Sequence, residues 1–245
     1  MSEAGVQLFR RAGMRLRTLL IPFADFAFPP VCLACDARVG DGRRRVCPSC
    51  LSSMGAVRAA DPLCRRARER LAEGGAVEDL VVAWYFDKEG PLQLLIHHLK
   101  YAGMTSLGIE LGELLGEAVL RHAAGRADAI VPVPLHRVKL RERGYNQSAF
   151  IARGIAAVTG QRIMSDPVRR TRFTPSQTTL SVPQRRMNMP GAFTVPPRRR
   201  ADVAGKFLLL VDDVITTGAT LHACAAELKN AGARRVIACA LALAS

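Results

Sequence analysis

The chain is poor in aromatic residues, with nine Phe, three Tyr and one Trp among 245 residues, and it carries only five Lys. Scarce aromatics leave few platforms on which nucleic-acid bases can stack, so an aromatic-rich single-strand binder is a poor match. No apolar run approaches the roughly 20 residues that a spanning helix needs, and no membrane span is expected. The phosphate-binding loop GxxxxGK[ST] is missing, as is the dinucleotide fingerprint GxGxxG, which excludes two common nucleotide sites. The leading "MSEAGVQLFRRAGMRLRTLLIPFADFAFPP" has Pro22 and Asp25 inside its apolar part and no small-residue cleavage site. It reads as an amphipathic helix rather than a secretory leader, and a cytoplasmic location is expected.

What is abundant is arginine. The formal charge is +14, with thirty Arg against five Lys, and apolar residues make up 49% of the chain. Interleaved charge at that apolar content describes a globular protein with one substantial core and room for a small module. Residues 137–200 hold fourteen Lys or Arg and two acids, Glu142 and Asp166. Such local excess suits phosphates, pyrophosphate or a nucleic-acid backbone, although a solvated Arg-rich face produces the same count.

Four of the seven cysteines fall in "CLACDARVGDGRRRVCPSC": Cys32, Cys35, Cys47 and Cys50. Two CxxC pairs can place four thiolates tetrahedrally around one zinc. The Gly- and Arg-rich connection between them cannot bury a core, so metal would supply the folding energy. Disulfides fit poorly without a secretory signal, and a single redox pair leaves the second CxxC unexplained. Four protein ligands close the coordination sphere, which makes this zinc structural. Residues 1–75 are therefore expected to hold the N-terminal helix, the zinc-ribbon module and a linker, and residues 76–245 the main domain.

From residue 80 the pattern alternates. "LVVAWYF" (80–86), "DAIVPVPL" (128–135), "KFLLLVDDV" (206–214, with the strand proper expected over 206–211) and "RRVIACALAL" (234–243) read as strands. "PLQLLIHHLKYAGM", "SLGIELGELLGEAVLRHA", "NQSAFIARGIAAVTG" and "GATLHACAAELKNAGA" read as helices. Pro132 and Pro134 must end the ladder of the second strand. Residues 171–200, with five prolines and little periodicity, read as a long loop or lid. Strands alternating with helices predict an α/β fold with a parallel sheet, and ligands at the carboxyl ends of its strands.

At one such end stands "VDDVITTGAT". Asp212 and Asp213 emerge from the strand, and Thr216, Thr217, Gly218, Ala219 and Thr220 turn into the next helix. Backbone N–H groups and hydroxyls at a helix start suit a phosphate dianion. Two carboxylates beside them suit ribose hydroxyls or a polyanion carrying Mg²⁺. Together these residues describe a sugar-phosphate site; solvated acids followed by a capping Thr are the plainer reading.

"VDDVITTGAT" resembles the phosphoribosyl-pyrophosphate (PRPP) motif of type I phosphoribosyltransferases. With the paired CxxC, "LKYAGM" (99–104), "VPVPLHRVKLRERGYNQS" (131–148) and "RTRFTPSQTTLSVPQRRMNMPGAF" (170–193), the chain resembles the ComF family of competence-associated phosphoribosyltransferase-like proteins from about residue 20 onward. One departure is that "CRRA" leaves Cys64 alone where many relatives have a further CxxC. The resemblance implies a type I phosphoribosyltransferase fold with a flexible lid, the residues 171–195 matching the lid's position. It implies that Asp212 and Asp213 hold the ribose hydroxyls of PRPP as catalytic residues, and that the 216–220 turn holds its 5′-phosphate. Val133 and Pro134 would belong to a pyrophosphate loop, where an unusual peptide geometry is common. Arg141 and Arg143 would neutralise diphosphate, and Lys100 and Tyr101 would line the site. Mg²⁺ would accompany PRPP, and the reaction would be glycosyl transfer from PRPP. No residue identifies a base for an acceptor, with His97, His98, His122, His136 and His222 undistinguished. A role in DNA uptake or nucleotide metabolism follows, with competence or helicase machinery as partners. The alternative is a non-catalytic accessory that binds single-stranded DNA during transformation.

Overall fold

A computed structural model describes residues 31–40, 44–172 and 191–244. The expected N-terminal helix, and residues 173–190 of the expected lid, lie outside the described residues. Two compact units divide between Leu51 and Ser52. In the first, Val31 and Arg38 form an antiparallel bridge around the first CxxC, and α1 (Pro48–Ser53) begins at the second.

The second unit is built on a four-stranded sheet. Its strands are β1 (Asp79–Tyr85), β2 (Ala129–Pro132), β5 (Phe207–Ile215) and β6 (Arg235–Leu243), in the spatial order β1-β6-β5-β2. Every pairing is parallel. Near-continuous apolar strands are what such a sheet requires, because helices cover both faces; in β6 every residue from Val236 to Leu243 is buried. A short antiparallel pair, β3 (Arg169–Arg170) with β4 (Phe193–Thr194), lies outside this sheet.

The helices follow from proline and glycine punctuation. α3 (Pro91–Tyr101) starts with Pro at its first position, where no N–H is needed. α6 (Gln147–Thr159) is capped by Asn146 and ends at Gly160 in the left-handed region. α4 (Thr105–Arg121) carries glycines every fourth residue, and a Cβ on Gly112 would sit 2.3 Å from the carbonyl oxygen of Ile151. The same holds from the other side, where a Cβ on Gly154 would lie 2.1 Å from the Ile109 oxygen. α4 and α6 thus pack backbone against backbone on one face. On the other face Leu208 and Leu210 share a buried cluster with Leu221, Cys224 and Leu228 of α8 (Ala219–Asn230).

Two expectations change. The stretch 52–79, whose "CRRARERLAE" reads as helix within a linker, does form a helix, but it is more than a connection: α2 (Pro62–Ala72) inserts Cys64, Ala67 and Leu71 into that same cluster. Its apolar side is therefore core of the second unit rather than part of the zinc module. The strand ending in the acids is also longer than 206–211, since β5 runs through both Asp to Ile215. Its partner β6 is long enough to keep pairing there, with Asp212 opposite Ala240. β2 is not; its ladder stops at Pro132 opposite Val211, as the prolines require. α5 (Arg137–Arg143) and the four-residue α7 (Arg200–Val203) complete the unit.

Candidate functional site

The early end of β2 exposes a notch beside the carboxyl half of β5, and the acid pair sits in it. Asp213 is 5% exposed. Its Oδ1 accepts the Val214 N–H at 2.7 Å, and its Oδ2 lies 3.0 Å from Nζ of Lys100, in the last turn of α3. Burial alone would lower the Lys100 pKa, but Asp213 and then Asp212 more than offset it, holding the ammonium above the ordinary lysine value. Asp212 Oδ1 accepts from Ser148 Oγ at 3.1 Å and from the Asp213 N–H at 2.9 Å. Burial and the neighbouring Asp213 nevertheless push its carboxyl up to about 7. The two adjacent carboxylates differ in their surroundings: Asp213 has a cation in contact, whereas Asp212 has hydroxyl and amide donors.

The segment "GYNQS" (144–148) holds this arrangement together. Tyr145 donates its hydroxyl to the carbonyl of Leu99, fixing the end of α3 beside Lys100. Asn146 donates Nδ2 to the Val133 carbonyl at 2.9 Å while its Oδ1 accepts the Ser148 N–H at 3.1 Å. One side chain therefore caps α6 and anchors the Val133–Pro134 loop. Val133 is buried, its N–H donating to Val211, and Pro134 is half-buried. The described residues contain no cis peptide bond, so the unusual geometry expected of this loop is not seen. Arg143 donates to Gln147 Oε1, and its guanidinium stands over the Tyr101 ring at 5.5 Å. Tyr101 is 68% exposed, and Arg141 is exposed with no partner among the described residues.

Beyond β5 the chain turns sharply into α8. Gly218 is left-handed at φ +78°, and a Cβ there would lie 2.6 Å from Leu71 Cδ2. Thr217 Oγ1 accepts the Ala219 N–H at 3.4 Å. Residues 212 and 214–221 line a small cavity, with Thr216 exposed and Thr220 half-buried at its rim. Free N–H groups at the start of a 12-residue helix give this turn the polarity to hold an anion.

Lys100, Asp212, Asp213 and, by its electrostatic influence on Lys100, Arg143 are brought together. Arg141 is not tied to them. Two participants were not anticipated as site residues. Ser148 lies in the family-like stretch 131–148, but a buried Ser at a helix start reads as ordinary capping. Arg170 lies 5.6 Å over the Phe193 ring, its pKa lowered by burial and raised in part by Asp212. Its sequence signal was its place in "RTRF". Among the histidines, His122 pairs with Asp79 at 3.1 Å, His222 Nε2 meets the Glu73 carbonyl at 2.8 Å, and His136 caps α5.

The four cysteines form a separate cluster. The sulfurs of Cys32, Cys35, Cys47 and Cys50 lie within 4.8 Å of one another, and Cys35 and Cys47 are 3.6 Å apart. Thiolates at tetrahedral corners around zinc stand about 3.8 Å apart, given Zn–S bonds of about 2.3 Å. The donor set fits the metal. Backbone N–H groups of Cys47 and Ala34 point at Cys32 Sγ, at 3.3 and 3.5 Å, and that of Cys50 at Cys47 Sγ, at 3.4 Å. At Cys32 burial raises the pKa, but these donors outweigh it and lower the thiol to about 7. Cys64 belongs to no such group; it is 2% exposed in the core of the second unit.

A family profile described as phosphoribosyl transferase domain matches residues 150–245, and one described as double zinc ribbon domain matches residues 23–81. DNA utilization protein YhgH of Escherichia coli O157:H7 is 36% identical over 154 residues, 61% of this chain and 66% of that protein. Competence protein F of Haemophilus influenzae is 31% identical over 150 residues, 60% of this chain and 65% of that protein. The matched stretch thus spans just under two thirds of these relatives' length. Among solved structures, a glutamine PRPP amidotransferase from B. subtilis is 21% identical at TM-score 0.39, over 58% of this chain and 30% of that one. The chain has the parallel sheet and flanking helices of the type I phosphoribosyltransferase fold together with a four-cysteine cluster that fits a zinc ribbon, and over most of its length it is similar to DNA utilization protein YhgH and Competence protein F.

Proposed function

We propose that the protein binds PRPP with Mg²⁺ and is a phosphoribosyltransferase of the ComF type, acting in the cytoplasm in DNA uptake or nucleotide metabolism. One observation carries this reading: two acids among the last four residues of β5 are followed, five residues after Asp213, by a left-handed Gly that opens a helix. The acids accept hydrogen bonds from the ribose hydroxyls. The 216–220 turn donates N–H groups to the 5′-phosphate. Lys100 pairs with Asp213 at 3.0 Å and so offsets the charge of the acid pair. Arg143, with Arg141, the Val133–Pro134 loop and Tyr101, lies toward the diphosphate. Asp212 and Asp213 offer the hard oxygen donors that Mg²⁺ takes, and the bound ion would neutralise charge on the diphosphate.

In the transfer, the acceptor's lone pair forms a bond to the anomeric carbon. The electron pair of the carbon–oxygen bond leaves with pyrophosphate, through a state of oxocarbenium character. The names of the relatives, which mention DNA utilization and competence, support DNA-uptake machinery as the cellular partner. The test is calorimetry with PRPP and Mg²⁺. Saturable binding that disappears in Asp212→Ala/Asp213→Ala supports the assignment; equal affinity in that variant rejects it. Screening acceptors for pyrophosphate release then separates transfer from binding alone.

A further inference from the structure

The carboxylate oxygens of Asp212 and Asp213 are largely engaged by the protein's own groups. Asp212 Oδ1 accepts from Ser148 Oγ and from the Asp213 N–H, and Asp213 Oδ1 accepts the Val214 N–H. Asp213 Oδ2 meets Nζ of Lys100 at 3.0 Å, which leaves Asp212 Oδ2 without a partner among the described residues. The Lys100 contact differs in kind from the others. Asp213 Oδ2 is buried and has no hydrogen-bond partner among the described residues, so charge alone holds the ammonium there. A flexible four-carbon stem can carry its charge between an acid and a nearby anion without moving the helix. The helix end itself is tied down, because the Tyr145 hydroxyl donates to the Leu99 carbonyl. Arg143 lies close enough to oppose Lys100 electrostatically. Two cations therefore stand against at most two carboxylate charges, which leaves a free divalent ion little net attraction. To reach Asp213 such an ion must also strand the Lys100 ammonium, whose side chain is 24% exposed, away from its counter-charge.

We infer that Lys100 is a specificity-determining residue: its ammonium takes the position of a divalent cation at Asp213 and keeps free metal ions off the acid pair. A metal ion then enters together with a polyphosphate, whose oxygens accept the ammonium as it leaves Asp213. This role deepens the proposed binding of PRPP with Mg²⁺ and rests on that reading only for the identity of the metal. A purely structural ion pair would have the same length, but it would not decide whether metal binds.

The probe is Mn²⁺, which takes the same oxygen ligands as Mg²⁺ and loses its free-ion electron paramagnetic resonance signal on binding. Titrations use the full chain with its cysteine cluster saturated with zinc, and no PRPP. Lys100→Gln is expected to bind Mn²⁺ at least tenfold more tightly than the wild type. Lys100→Gln/Asp213→Asn should fall back to the wild-type level, and Lys100→Arg, which keeps a cation, should stay there. If Lys100→Gln is unfolded by itself, Mn²⁺ should restore its fold as read by circular dichroism, because an ion that binds only the folded chain stabilises it. A gain smaller than tenfold overturns the proposal, as does an unfolded Lys100→Gln that Mn²⁺ does not restore. A gain that Asp213→Asn leaves in place, or that Lys100→Arg shares, overturns it too. The PRPP reading is judged separately, by calorimetry on the wild type. No PRPP binding there, beside a Mn²⁺ site gained in Lys100→Gln, rejects PRPP as the ligand and supports the role of Lys100.

Discussion

Nζ of Lys100 stands 3.0 Å from Oδ2 of Asp213, a contact between the last turn of α3 and the carboxyl half of β5. Asp213 is almost fully buried, so the pair is a structural necessity as well as a charge device. Removing one member of a buried pair costs about 3 kcal/mol, because the other charge is left uncompensated. Lys100→Met is expected to lower unfolding free energy by about that amount. Denaturant titration checks this, and Lys100→Met/Asp213→Asn should recover most of the loss.

Asp212 predicts a pH dependence of definite sign. Its folded-state pKa, about 7, lies above the ordinary value of 3.8. Between those values the folded chain holds a proton that the unfolded chain has released, so its contribution to stability falls as pH rises toward 7. Asp212→Asn has no such titration. The stability of Asp212→Asn relative to the wild type should therefore increase from pH 4 to pH 8, and a pH-independent difference would contradict the assignment. Binding of PRPP with Mg²⁺ favours the ionised carboxylate, so its affinity in the wild type should rise through the same interval. In Asp212→Asn that part of the rise should vanish.

Gly218 and Gly144 form a paired test, being left-handed at φ +78° and +80°. Gly144→Ala meets open space, so it should cost only the backbone penalty of about 1 kcal/mol. Gly218→Ala adds a Cβ 2.6 Å from Leu71 Cδ2 and must displace either Leu71 or the turn. It should be more destabilising in thermal unfolding, and it should weaken PRPP binding where Gly144→Ala does not.

The cysteine cluster predicts about one zinc per chain by elemental analysis. Cys47→Ser should lose the metal, and chelation should unfold the first unit while leaving the parallel sheet. Cys64→Ser should retain full zinc content, because Cys64 is a buried core thiol of the second unit.

The local sequence determined much of this protein. Two CxxC pairs specify a four-sulfur site because a knuckle turn is a short-range structure, with its N–H···S bonds formed within a few residues. Asn146 before an apolar periodic run, and Gly160 after it, specify α6 because capping is likewise local. "VDDVITTGAT" carried the end of the strand, the acids and the turn into α8 within ten residues, and its resemblance to a known motif named the fold. Only the tertiary structure paired Lys100 with Asp213, placed Ser148 on Asp212, and set Leu71 beneath Gly218. These contacts depend on the order β1-β6-β5-β2, which brings chain segments far apart in sequence to one end of one sheet. Hydrophobic periodicity says which face of an element is buried but not which neighbour buries it. For the same reason "CRRARERLAE" shows the helix α2 but not its packing, because the core that receives its three apolar residues exists only once the sheet and α8 are assembled.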